Sequence, residues 1–263
     1  SVGADTTVVE YLFEMGANAA LWDEFSPKTH TVAVSCGDSH KEVTFGLRDF
    51  EAVGKNIVIN GRNTFLRGTL DCCIFPLTGN PPLDEAGWEK EFSVCKEWGL
   101  NHVRFHSWCP PDAAFRVADR MGIYLQVELP VWTKNLGGPG INEFLTDEYR
   151  RIIAEYGNHP SFCMLSGGNE LDRDYEFLNS LLRYMKATDP RHIYTNSTYS
   201  VSKESKALTA MYFQVDWNDL PEERQFLRLT NEDGSRQVAV ADGDQYLVLG
   251  DTFEVGDKIY LEA

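Results

Sequence analysis

The 263-residue chain is short of basic residues, with 24 lysines and arginines against 40 aspartates and glutamates, a net charge of -16 and a pI of about 4.7. It has no basic stripe to neutralise phosphates, which argues against nucleic acid or an anionic membrane surface as partner. No apolar run approaches the roughly 20 residues of a spanning helix, so no membrane insertion is expected. The first five residues, Ser1 to Asp5, lack a basic region and an apolar core. No signal peptide is therefore expected, and the location stays undetermined. The six cysteines (Cys36, Cys72, Cys73, Cys95, Cys109, Cys163) form no CxxC pair at metal-site spacing. Most sit in apolar patterns, so buried free thiols are expected rather than a disulfide framework. There is no Gly-rich phosphate loop of the dinucleotide folds, no internal repeat and no low-complexity tract. No cofactor is expected.

Apolar residues make up 43% of the chain, ample for the core of one large domain or two smaller ones. The acidic surface serves solubility and leaves a homo-oligomer open.

Residues 1–50 read as β structure, with alternation over 6–13, 29–35 and 43–50 around a polar segment that carries Trp22 and Pro27. At about residue 51 the pattern changes. Asn60-Gly61 reads as a tight hairpin turn, with residues 64–70 as the partner or next strand. Helical and strand patterns then alternate, with helices over 84–98, 112–121, 142–156 and 172–188. Between them lie strands at 101–106, 123–129, 162–165 and 192–196. This rhythm implies parallel strands joined by right-handed crossovers. Polar and aromatic residues recur at the strand tips: Asp71; Arg104, His106 and Trp108; Glu128 and Trp132; Asn169 and Glu170; Asn196 and Tyr199. In a barrel such tips converge on one mouth. The fold expected is α/β, a (β/α)8 barrel of the TIM type, incomplete in this chain, with flanking β-sandwich segments. Its divisions are 1–50, the end of an immunoglobulin-like β domain, 51–215, the barrel portion, and 216–263, a β-rich module of short strands and Gly turns.

The centre of the pattern is Asn158-His-Pro-Ser161 followed by a buried apolar strand, Ser166-Gly-Gly168 and then Asn169-Glu170. From spacing alone two readings stand side by side. Glu170 is a catalytic acid delivered by a strand tip, or Asn169-Glu170 caps the next helix together with Asp172.

Six segments in order resemble family 2 glycoside hydrolases, the β-galactosidase, β-glucuronidase and β-mannosidase group. They are Phe45-Gly-Leu-Arg48; Asn60-Gly-Arg62 with Leu66-Arg-Gly68; Asn101-His-Val-Arg104 with a following His and aromatic; Asp119-Arg-Met-Gly-Ile-Tyr124 with Glu128; Asn158-His-Pro-Ser161; and Gly168-Asn-Glu170. The resemblance implies hydrolysis of β-glycosides with retention and a carbohydrate substrate, Glu170 being the general acid/base and Asn169 a contact to the sugar 2-hydroxyl. A retaining site needs a second carboxylate about 5–5.5 Å from the first. After residue 200 the carboxylates Glu222, Glu223, Glu232, Glu254 and Glu262 lie in polar or turn contexts that do not resemble the family's nucleophile. A fragment, or a divergent member without the full reaction, is expected on that count, and a non-catalytic carbohydrate-binding barrel is the competing reading.

The other tip residues keep their alternatives open. Glu128 binds a sugar hydroxyl, or serves as nucleophile in a site unlike the family's, or forms a salt bridge with Arg104. His106, one place earlier than the family's usual histidine, binds substrate or fills the barrel. Trp108 and Trp132 stack on a pyranose or pack the core. Arg104 and Asn196 are further candidates for the mouth. His102 and His106 share a strand face but lack a third ligand at recognisable spacing, so no metal is expected.

Overall fold

The computed structural model describes residues 9–54, 56–132, 136–171 and 174–198, and the backbone of five short strands beyond them. Two antiparallel units come first. His30–Cys36 (β1) pairs with Ser39–Phe45 (β2), and Phe50–Val53 (β3), Asn56–Ile59 (β4) and Arg62–Thr64 (β5) form a meander. The β4–β5 turn is the expected Asn60-Gly61, at φ 50 and 76. Two successive positive φ values suit this pair and match the twist of a hairpin.

The main sheet holds Gly68–Asp71 (β6), His102–Phe105 (β7), Tyr124–Glu128 (β8), Phe162–Ser166 (β9) and Ile193–Thr195 (β10). All its pairings are parallel and the spatial order is the sequence order. Glu85–Glu97 (α1), Asp112–Met121 (α2), Ile141–Tyr156 (α3) and Tyr175–Thr188 (α4) fill the crossovers. A doubly wound sheet reverses its strand order at a switch point; this one does not, so right-handed crossovers put every helix on one side. That is the winding of a TIM-type barrel, of which the described residues hold five strands. Gly122, at φ 67, ends α2 in the left-handed conformation, where its missing Cβ leaves room for the backbone of Glu24.

Strand alternation divides the side chains into two layers. Val103, Phe105, Leu125, Val127, Leu165 and Tyr194 face the helices and pack with Trp88, Phe92, Phe115 and Leu182. On the inner face Tyr124, Cys163 and Met164 meet Trp22, Phe50 and Ile59, so the preceding segment and meander close the N-terminal end. Each large side chain buried in this way stabilises the fold by about 1.5–3 kcal/mol. Arg48 fastens the same end by donating to the carbonyls of Pro160 (2.6 Å), Arg191 (3.0 Å) and Phe162.

The structure corrects several expectations. Residues 9–13 lie outside any strand, with Tyr11, Leu12 and Phe13 exposed. The expected strand over 43–50 is the end of β2, a break at Gly46 to Asp49, and the start of β3. Among the described residues the leading strands make a two-stranded sheet and a three-stranded meander, which leaves the expected sandwich unshown. All six cysteines are free, but Cys36, at the end of β1, and Cys72 and Cys73, in the loop after β6, are exposed. Further on, Phe226–Thr230 (β12) pairs antiparallel with Gln237–Asp242 (β13) and Tyr260–Glu262 (β15). Tyr212–Phe213 (β11) pairs with Leu247–Val248 (β14), which ties residues the sequence assigned to the barrel to this later module.

Candidate active site

The C-terminal tips of β7, β8 and β9 and the turn after β10 meet around one buried carboxylate. Glu128, the last residue of β8, has 0% of its surface exposed. Its Oε1 accepts from Arg104 Nε at 2.7 Å and from the Thr198 hydroxyl at 2.6 Å, while Oε2 accepts from the Ser107 backbone N–H at 2.7 Å. Ser107 takes a left-handed backbone, φ 59, and this turn off β7 is what aims its N–H at the carboxylate. A buried charge needs a partner and further hydrogen bonds to be tolerated, and Glu128 has both. It is thus the ion-pair partner of Arg104. The substrate-contact and nucleophile readings fail for Glu128, because no surface of it reaches a ligand.

Asn169 and Glu170 follow two glycines for a steric reason. A Cβ on Gly167 would run into the Asn196 carbonyl, and one on Gly168, at φ 146, would lie 2.6 Å from both Val131 O and Val131 Cγ1. This close approach lets the chain thread between the ends of β8 and β10: Asn169 N–H donates to Val131 O (3.1 Å), Glu170 N–H to Thr198 O (2.9 Å), and Thr198 N–H to Gly168 O (2.9 Å). Asn169 is buried, and its side-chain oxygen accepts from Arg104 Nη2 at 2.5 Å. Glu170, at φ 51, is exposed. The described residues leave its carboxyl, at the strand tip, uncovered. Trp132 Nε1 donates to Glu170 Oε2 at 2.9 Å, and the His106 ring stands edge-on to the indole at 4.8 Å.

The helix-cap reading is overturned. The cap of α4 is Asp174, which accepts from Phe177 N–H at 3.2 Å, and the helix begins at Tyr175. Asn169 and Glu170 lie well before it, bound to strand ends.

The other candidates separate. Arg104, His106, Trp132, Asn169 and Glu170 come together. Trp108 does not join them: its indole donates to Asp71 O at 3.1 Å and its ring packs on Phe75, Trp88 and Phe105, so it is core. Asn196 also turns away, donating to Asn179 of α4 at 3.0 Å. In β10 Ile193 is an inner-face residue and Tyr194 an outer one, so parity sends Asn196 outward. Tyr199 lies outside the described residues. Sequence reasoning missed Ser107, Ser166 and Thr198, although the same parity count places Thr195 inward and would have drawn notice to its neighbours. Thr198 Oγ1 also lies 3.0 Å from Ser166 Oγ and accepts from Gln126 Nε2 at 3.3 Å. His102 sits deep on the inner face over Gly68, and burial pushes its imidazole down to about 4.

A separate groove of about 1120 Å³, lined by Phe13, Val32, Phe45, Arg48, Pro160 and Arg191 among others, opens at the opposite end of the strands. It contains none of the convergent tip residues.

The chain is similar in sequence and fold to known proteins. The family profile described as glycosyl hydrolases family 2, TIM barrel domain, matches residues 50–237. β-Galactosidase 2 of Enterobacter cloacae is 24% identical over 213 residues, covering 76% of this chain and 20% of that protein. A β-glucuronidase of Paenibacillus borealis is 24% identical over 243 residues, covering 76% of this chain and 41% of its own length. Among solved structures, a family 2 β-galacturonidase from Eisenbergiella tayi aligns with a TM-score of 0.64 at 22% identity, covering 73% of this chain and 35% of that one. The chain spans only about a fifth to two fifths of the length of these curated relatives. With a family match over more than half of its residues, the chain belongs to the glycosyl hydrolases of family 2, in their TIM-barrel domain.

Proposed function

We propose that this chain carries the acid/base half of a retaining β-glycosidase site, with Glu170 as proton donor to the departing glycosidic oxygen and then as base towards water. One observation supports this above the others: Glu170 is an exposed carboxylate at the strand tips whose partner among the described residues is the Trp132 indole, a neutral donor. Asn169 is the contact to the sugar 2-hydroxyl, a bond that strengthens in an oxocarbenium-like transition state. His106 and Trp132 border the place a pyranose would occupy. Arg104 acts through Asn169 rather than on the sugar. The β-galactosidase and β-glucuronidase names of the relatives favour a β-linked glycoside as substrate.

The nucleophile is a second carboxylate about 5–5.5 Å from Glu170. Glu128 is excluded by its burial and its full set of bonds. Residues 1–50 are read as the end of an immunoglobulin-like β domain, the β1–β2 hairpin being one piece of a sandwich, and 216–263 as a separate β-rich module. The reaction is tested on the full-length gene product by the anomeric form of the first product, read by proton NMR. A β-configured first product supports retention; an α-configured one rejects it. Binding of β-glycosides without turnover favours the carbohydrate-binding alternative.

A further inference from the structure

We infer that Glu128 is a positioning residue for ligand recognition: through Arg104 it fixes which way the Asn169 carboxamide faces, and so makes Asn169 a hydrogen-bond donor towards the ligand. The inference rests on the reading of Asn169 as the sugar-hydroxyl contact.

An asparagine side chain is nearly symmetrical in shape and opposite in chemistry at its two ends, so its orientation is set by its neighbours. Arginine has only donors. The Asn169 atom 2.5 Å from Arg104 Nη2 is therefore the oxygen, and the NH2 group, which has no protein partner among the described residues, is the end left for a ligand. Arg104 can hold that oxygen only while its own plane is fixed. Glu128 fixes it at Nε, 2.7 Å away, and Glu128 is itself immobilised by Ser107 N–H and the Thr198 hydroxyl. Thr198 also holds the backbone on both sides of Asn169, through Gly168 O and Glu170 N–H. Side chain and main chain of the recognising residue thus depend on the same buried cluster. Arg104 binds two different groups through two nitrogens, a task that a lysine ammonium on a flexible stem does not perform with fixed geometry.

The test compares binding of methyl β-galactoside and methyl β-glucuronide with that of their 2-deoxy counterparts, by calorimetry on the full-length protein. The variants are Asn169→Ala, Glu128→Gln and Arg104→Lys. The wild type should prefer the hydroxylated ligand by about tenfold, the worth of one good hydrogen bond. Asn169→Ala should erase the preference. Glu128→Gln places an NH2 against one of three donors and should lose most of it. Arg104→Lys keeps a charge opposite Glu128 but lets go of Asn169, and should lose it too while remaining folded by thermal melt. If Glu128→Gln does not fold, Arg104→Lys decides alone. Full preference retained in the folded variants while Asn169→Ala erases it overturns the inference and leaves the role of Asn169 intact. No preference in the wild type, its survival in Asn169→Ala, or binding of neither glycoside removes the underlying reading instead.

Discussion

Trp132 and Glu170, 38 positions apart in the chain, are joined by one hydrogen bond from the indole Nε1 to the carboxylate Oε2 at 2.9 Å. Among the described residues the bond leaves the second carboxylate oxygen available, which an acid/base group requires. Glu170→Gln should therefore separate substrates by leaving group. On alkyl glycosides kcat/KM should fall by about 10²–10⁴-fold, the usual worth of a positioned general acid. On dinitrophenyl glycosides, which leave without a proton, the fall should be under about tenfold. Equal losses on both would take the acid role from Glu170.

Trp132 itself is 60% exposed, so its replacement should cost little stability. Trp132→Phe retains an aromatic face beside His106 and deletes only the donor to Glu170. The expected result is a fall in kcat/KM of about 10–150-fold, corresponding to one hydrogen bond to a charged group, with the melting temperature unchanged. A larger fall in affinity than in kcat would mean that the ring serves mainly as a sugar platform.

Gly168→Ala tests the threading of the site strand. At φ 146 an alanine is strained, and its Cβ would press on Val131 at 2.6 Å. Destabilisation of about 2–4 kcal/mol is expected by urea unfolding, with loss of activity in the residual folded fraction.

Much of this arrangement was legible in the chain because it rests on local rules. Gly122 and the Asn60-Gly61 pair mark ends that only positive φ permits, and the helix and strand periods locate the sheet that carries Glu170. What escaped depends on layers. Trp108 sits at a strand tip like Trp132, and only the aromatic cluster of Phe75, Trp88 and Phe105 makes it core. Glu128 is a strand-tip carboxylate like Glu170. Its burial comes from Arg104, Ser107 and Thr198, brought together from three separate stretches. The α4 start was placed early because both Asp172 and Asp174 are good capping residues, and composition does not choose between them.

Arg48→Met should loosen the preceding segment from the barrel. The guanidinium donates to three carbonyls at the N-terminal end of β9 and β10, and a methionine leaves all of them without that donor. A loss of about 2–4 kcal/mol is expected, since each such bond to a charged donor is strong. Hydrogen exchange should rise around residues 160–163 before it rises at β7 and β8.

Stability should also fall on the alkaline side of neutrality because of Glu91 on α1. Burial, and then the nearby Asp71 carboxylate, push the Glu91 carboxyl up to about 8, against an ordinary value of 4.5. The folded state therefore holds a proton that the unfolded state releases near pH 4.5. Its contribution is complete below that pH and is lost as pH rises through 8. The buried histidines His102 and His192, both pushed down to about 4, have the opposite slope, confined below pH 6.5. Measurements between pH 6.5 and 9 therefore isolate the acid pair. Over that window the rise from pH 6.5 to 8 allows about 2 kcal/mol at most, and because Glu91 is only half-buried, remaining solvent reduces the effect to about 1 kcal/mol. Glu91→Gln keeps the shape and cannot ionise, so its urea midpoint should stay level from pH 6.5 to 8 while that of the wild type declines. Parallel declines in the two proteins would place the alkaline sensitivity elsewhere.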